Sequence, residues 1–166
     1  MPAMQLSRLS HAETTAWVET ICARARASNA PHYRGAAAQL LRARVDRLVL
    51  EFLSAVKEES SSFAAYSRTV AEQRIAEGYH LTEMLAVLDI LEDLAWSHCA
   101  RIVTDREQLL KNLRLATQTL SAAKSALAQV YLDSMRDCEG TVAELKRELG
   151  QEEIDVLFKG TEAMVV

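Results

Sequence analysis

From residue 74 to residue 96 the chain reads R-I-A-E-G-Y-H-L-T-E-M-L-A-V-L-D-I-L-E-D-L-A-W, and after Gly78 its apolar side chains recur at Leu81, Met84, Leu85, Leu88, Leu91, Leu94 and Ala95. Steps of three and four are the period of an α-helix. Val87 and Ile90 widen the stripe until only Glu83, Asp89, Glu92 and Asp93 are left as a polar edge. A helix this apolar needs neighbours over most of its circumference. The segment is therefore expected to be the central helix of a bundle, with Gly78 closing the helix before it.

The rest of the chain fits that frame. Its 166 residues are the size of one domain with a real core, and 49% hydrophobic with 25% charged residues is ordinary for a globular chain. Only Pro2 and Pro31 interrupt it, and no strand-like alternation occurs. The expected fold class is all-α: about five helices, a long C-terminal helix and a short helical tail, divided into a bundle over 1–149 and a tail over 150–166. Ser10 and Glu13 form a capping box pattern, which predicts a first helix over 12–28 with Trp17, Ile21, Cys22 and Ala25 inward. A second helix follows Pro31 without a break. Its stripe is Ala37, Leu41, Val45, Leu48, Phe52 and Val56, flanked by Leu40, Val49 and Leu53, with Gly35 in its first turns. Ser60, Ser61 and Ser62 offer a turn and an N-cap for a third helix that begins at Phe63 and stops at Gly78.

Thr104 and Asp105 supply the next N-cap, and from Leu109 an apolar seam runs through Leu113, Ala116, Leu120, Ala123, Leu127, Tyr131, Met135, Cys138, Val142, Leu145 and Leu149. Two consecutive steps of four between Leu127 and Met135 are a stutter in the heptad. One long helix or two collinear ones fit, with Gly140 the weak point. Part packs in the bundle, and the rest is expected to pair with a second copy of the chain.

Charge and composition exclude several classes. A net charge of −4 is contrary to the basic footprint of a nucleic-acid binder, and Arg42, Arg44 and Arg47 read as a solvated helix face. Cys22, Cys99 and Cys138 are odd in number and far apart, with no CxxC or Cys/His cluster, so neither a disulfide framework nor a zinc site is expected. No leader or membrane-length apolar run is present, and a cytoplasmic protein is expected. There is no nucleophile and base pair, no phosphate loop and no ligand set at metal spacing, so no catalytic residue, metal or cofactor is assigned. His98 reads as a structural or interface histidine. Its alternatives are a phosphotransfer histidine or a haem ligand in a true globin. His80 reads as an N-terminal turn residue, and Trp17, Tyr79 and Trp96 as core anchors.

The segment R-I-A-E-G-Y-H-L-T-E-M-L with L-D-I-L-E-D-L-A-W resembles the N-terminal sensory domain of RsbR-type stressosome proteins, in the RsbRD-like branch. Arg74, Gly78, Tyr79, Leu81 and Glu83 carry the pattern. The resemblance implies a helical, often dimeric input domain, either globin-like without haem or four-helix-bundle-like, whose signature is structural. The usual output module is not expected after Gly140. The tail G-Q-E-E-I-D-V-L-F-K-G at 150–160 resembles the N-terminal peptide of the flagellar motor switch protein FliM. That likeness implies binding to a phosphorylated CheY-like response regulator through Gln151, Glu153, Ile154, Asp155, Leu157 and Phe158, hence a role in chemotaxis or motility. Ile154, Leu157 and Phe158 would share one helical face, while Glu152, Glu153 and Asp155 favour the positive end of the helix dipole. Burial of three such side chains is worth on the order of 5–8 kcal/mol, much of it offset by ordering and association, so a micromolar complex is expected. The other reading of the tail is a clamp onto its own bundle. The other reading of the whole chain is a ligand- or redox-sensing input domain acting through dimer contacts.

Overall fold

The computed structural model describes residues 9–148, which form six helices and, among the described residues, no strand. They are α1 (His11–Ala27), α2 (Pro31–Gly35), α3 (Ala38–Glu58), α4 (Ser62–Ala76), α5 (Leu81–Ile102) and α6 (Arg106–Glu148). The all-α bundle with a long last helix is thus as expected. The tail residues Gln151, Glu153, Ile154, Asp155, Leu157 and Phe158 lie outside the described residues, as does the expected boundary at 149/150.

Local chemistry sets most helix ends. At the start of α1, Glu13 N–H donates to Ser10 Oγ, and the Glu13 carboxylate accepts from the Ser10 amide at 2.9 Å, the reciprocal pair expected. At the start of α6 the Gln108 amide donates to Asp105 Oδ1 at 2.8 Å. The serine run behaves differently. Ser61 precedes α4 with no side-chain cap, and the Ser60 and Ser62 hydroxyls bond each other at 2.8 Å. The single second helix expected after Pro31 is also corrected. Pro31 starts a short α2 that stops at Gly35, and Ala36 and Ala37 take extended backbone before α3 begins. Pro at the first turn fixes only the start of a helix, and Gly35 followed by alanines gives no side chain to hold the next turn on the core. Ala37 is consequently exposed rather than part of the stripe, and the flanking Leu40 is exposed as well, whereas Leu41, Val45, Phe52 and Val56 of the stripe and the flanking Val49 are buried.

Two compact units divide the chain, the first ending at Val130 and the second beginning at Tyr131. In the first, α1 packs on α3 and α5, and α3 on α4. The core takes Trp17, Ile21, Phe52, Phe63, Leu91 and Leu120, with Phe52 and Phe63 edge to face at 5.6 Å between centroids. α5 is central, with Met84, Val87, Leu88, Ile90, Leu91 and Ala95 all buried. α6 is tied to it by Lys124, whose ammonium lies 2.7 Å from Asp89 and 2.6 Å from Glu92. Trp96 is a correction: it is 47% exposed and donates its indole N–H to Thr117 Oγ1 at 3.2 Å. It stands on the Asp89 and Asp93 edge of α5, where a polar handle rather than burial satisfies an amphipathic ring. In the second unit α6 stays helical through Gly140, and Leu132, Met135, Cys138 and Val142 are exposed. Among the described residues no helix is long and apolar enough to cross a membrane.

Candidate functional site

The α4–α5 turn is built from a helix stop that only a few residues can make. Gly78 sits at φ +88°, its amide donates to Ile75 O at 2.9 Å, and the Tyr79 amide donates to Arg74 O at 2.9 Å. These are the two crossed bonds of a Schellman stop, with glycine at the left-handed position. The same geometry lays the Arg74 guanidinium over the Tyr79 ring, 5.6 Å from its centroid, and Arg74 Nη1 holds both oxygens of Glu77 at 2.8 and 2.7 Å.

Glu83 secures the other side of the turn. It belongs not to the polar edge of α5 but to the interior, at 4% exposure. The first turn of a helix leaves amides without partners, and Glu83 accepts from the His80 amide at 2.9 Å. It also accepts from the His32 amide at 3.1 Å and from His32 Nδ1 at 2.8 Å. Because a carboxylate only accepts, Nδ1 of His32 carries the proton. Burial works to raise the Glu83 pKa, but the hydrogen bonds from His80 and His32 outweigh it and hold the carboxyl below its ordinary value. The His32 ring stacks on Tyr79 at 4.4 Å, and Tyr33 meets Tyr79 edge-on at 5.3 Å.

Four of the five signature residues therefore converge. Arg74, Gly78, Tyr79 and Glu83 form one junction, and Leu81 packs beside the core. His32, Tyr33 and Glu77 were not singled out by the sequence, yet with Arg44 they complete it. Arg44 was assigned to a solvated face with Arg42 and Arg47. Those two are exposed, but Arg44 reaches inward, Nη1 donating to the Tyr79 hydroxyl and Nη2 to Glu77 Oε1, both at 3.2 Å. Its place one turn after the buried Leu41, followed at once by the buried Val45, was the available signal. For His32 and Tyr33 the signal was a ring pair directly after Pro31.

Behind this junction a cleft opens between α3, α4 and α5. It offers about 60 Å3 to the centres of water-sized groups. Leu41, Val45, Val70, Met84, Leu88 and Leu127 supply apolar wall, and Tyr33, Arg44, Ser67 and Arg74 the polar points. Ser67 is 3% exposed and its hydroxyl has no hydrogen-bond partner among the described residues. Arg26 Nε and Asn112 Nδ2 are also buried without partners among the described residues, but neither residue borders this cleft. Burial pushes the Tyr33 hydroxyl pKa far up, so it stays a neutral donor.

His98 is 4% exposed, edge-on to Trp17 at 5.7 Å, and accepts at Nδ1 from Arg101 at 3.2 Å. Burial lowers its pKa. The exposure needed for phosphotransfer is absent there. Cys22, Cys99 and Cys138 are free thiols, and burial raises Cys99 to about 11. Among the described residues no group of His, Cys, Asp or Glu is placed to hold a metal ion. No protein-family model matches the chain, and neither does any curated protein or solved structure.

Proposed function

We propose that the chain is a non-enzymatic sensory bundle that takes a small molecule into the cleft between α3, α4 and α5 and passes its state to a protein partner. The observation that carries this reading is the cleft itself: an apolar wall, a buried hydroxyl at Ser67 with no partner among the described residues, and a direct border on Arg74 of the α4–α5 junction. Apolar concavities with a few convergent polar groups are the usual form of small-molecule sites, and an unpaired buried hydroxyl costs about 1–3 kcal/mol that a ligand group relieves. The RsbRD-like pattern of Arg74, Gly78, Tyr79, Leu81 and Glu83 supports an input role. Methyl chemical shifts of the full chain, recorded while small acids, alcohols and amides are added, test it. Saturable shifts at Val70, Met84 and Leu127 are expected. Shifts confined to other residues overturn the cleft as the site.

Output by protein contact is supported by two features. Leu132, Met135 and Val142 are exposed on α6, which favours pairing with a second copy, and sedimentation equilibrium of the chain with and without residues 131–166 tests that. The segment Q-E-E-I-D-V-L-F at 151–158 favours a CheY-like receiver as partner, with Gln151, Glu153, Ile154, Asp155, Leu157 and Phe158 as the contacts. Titrating a labelled tail peptide with such receivers, with and without a phosphoryl mimic, tests this second reading. Micromolar binding strengthened by the mimic is expected, and no binding at high micromolar receiver overturns it.

A further inference from the structure

The arrangement of polar groups along the cleft narrows its ligand, an inference that rests on reading the cleft as a binding site. At the end nearest Gly78 two guanidinium groups share one carboxylate. Glu77 takes Arg74 Nη1 and Arg44 Nη2, and Glu83, the other carboxylate nearby, is occupied by the His32 and His80 amides and the His32 ring. The oxygens of both carboxylates are thus taken, and at a place bordered by the neutral Tyr33 hydroxyl no bond among the described residues engages Arg74 Nη2, which is left to meet an incoming acceptor. A carboxylate meeting a guanidinium and a hydroxyl gains charge-assisted hydrogen bonds.

The second polar point stands apart from the first. Ser67 precedes Arg74 by seven residues on α4, which is roughly 10 Å of helix at 1.5 Å per residue; Val70 lies between them on that helix, and Leu41 and Met84 also line the cleft. The restricted room in the cleft excludes a bulky ligand. The geometry points to a slim amphipathic organic acid: a carboxylate at Arg44 and Arg74, an apolar body one ring or short chain wide along Val70 and Met84, and a hydrogen-bonding group at the far end that pairs with the Ser67 hydroxyl.

Three probes of one shape separate the parts of this assignment. 4-Hydroxyphenylacetate carries the acid and the distal hydroxyl, phenylacetate lacks the hydroxyl, and 4-hydroxyphenylacetamide lacks the charge. Each is titrated into the full-length protein to about 10 mM, the weak end for a ligand of this size, with the Leu41, Val70, Met84 and Leu127 methyl shifts as readout. The hydroxy acid is expected to bind about tenfold more tightly than the amide. Arg44→Gln should remove that preference while sparing the amide. Ser67→Ala, a small change that removes an unpaired hydroxyl and keeps the fold, should weaken the hydroxy acid to the level of phenylacetate and leave phenylacetate unchanged. Equal binding of acid and amide in the cleft overturns the acid class while the cleft remains a binding site. Loss of neither probe's affinity in Ser67→Ala overturns the distal contact. Absence of saturable shifts with all three overturns this assignment, while shifts from any other compound of the wider panel keep the cleft reading alive.

Discussion

Two turns bracket α4, and each reverses the chain through a residue in the left-handed region. The α3–α4 turn places Glu59 at φ 50°, and the α4–α5 turn places Gly78 at φ 88°. At the first, the bonds are local: the Ser60 amide returns to Ala55 O, and the Ser60 and Ser62 hydroxyls bond each other. At the second, groups from α2 and α3 enter the turn, because His32 bonds Glu83 while Arg44 bonds Tyr79 and Glu77. A turn that only has to reverse the chain tolerates a residue with a strained backbone. One that holds four elements together, and forms the end wall of a cleft, does not.

The largest break in this comparison is Glu83→Ala. It removes the acceptor of three N–H groups and leaves the His80 and His32 amides without partners in a covered place. A buried charged network that loses its acceptor costs about 3 kcal/mol, read as a fall in the urea midpoint at unchanged slope. The same residue gives the turn a pH signature. A carboxyl whose folded pKa is below its ordinary value contributes stability that is complete above that ordinary value, near 4.5, and is lost as pH falls through the folded value. Stability should therefore decline below about pH 4.5, and Glu83→Gln should make that decline shallower, leaving the part due to Glu77 and Glu13, whose carboxyls are also held below their ordinary value. His98, whose pKa is lowered too, in its case by burial, adds a loss of the same sign as pH falls below its ordinary 6.5, which His98→Gln separates from the Glu83 contribution.

How much of this junction was legible follows from where its parts lie in the chain. Gly78 as a helix stop and the apolar face of α5 are local properties, set by one backbone angle and by helical period, and they read directly from the residues. Glu83 occupied the right position but looked like one more charge on a polar edge, since its partner His32 lies 51 residues earlier. Arg44 was hidden in the same way, because Arg42, Arg44 and Arg47 look alike until the path of α3 turns one of them inward. The split of α2 from α3 was missed because nothing local distinguishes Gly35 within a helix from Gly35 at its end. The cleft had no sequence signal at all: Ser67 sits in a helix with almost no amphipathic pattern, and only packing shows that its hydroxyl has no partner among the described residues.

Gly78→Ala is the next largest effect. A Cβ at Gly78 would meet only His32 Nε2, at 3.6 Å, an ordinary contact. The cost is therefore backbone strain, about 1–2 kcal/mol for an L-residue in the left-handed region. Because space is not the obstacle, Gly78→Asn, which tolerates that region, should recover part of the loss. Equal losses for alanine and asparagine would instead assign the cost to crowding against His32. The shift is read in the same urea titration, and the methyl resonances of Met84 should report whether the cleft end moves with it.

The smallest effect has the opposite sign. Glu59 already stands where glycine is favoured, with its carboxylate exposed and its amide bonded back to Ala55 O. Glu59→Gly relieves strain of about 1–2 kcal/mol but frees the unfolded chain, which returns about half of it. A net gain of about 0.5–1 kcal/mol is expected, seen as a higher urea midpoint. The two turns then differ in sign under exchange of the same pair of backbone preferences, glycine removed at 78 and introduced at 59. If Glu59→Gly instead destabilises, the carboxylate of Glu59 supports its turn through a contact with Lys57 or the serine run. The α3–α4 turn would then be held by side chains as the α4–α5 turn is, and the two would differ only in which elements their contacts reach.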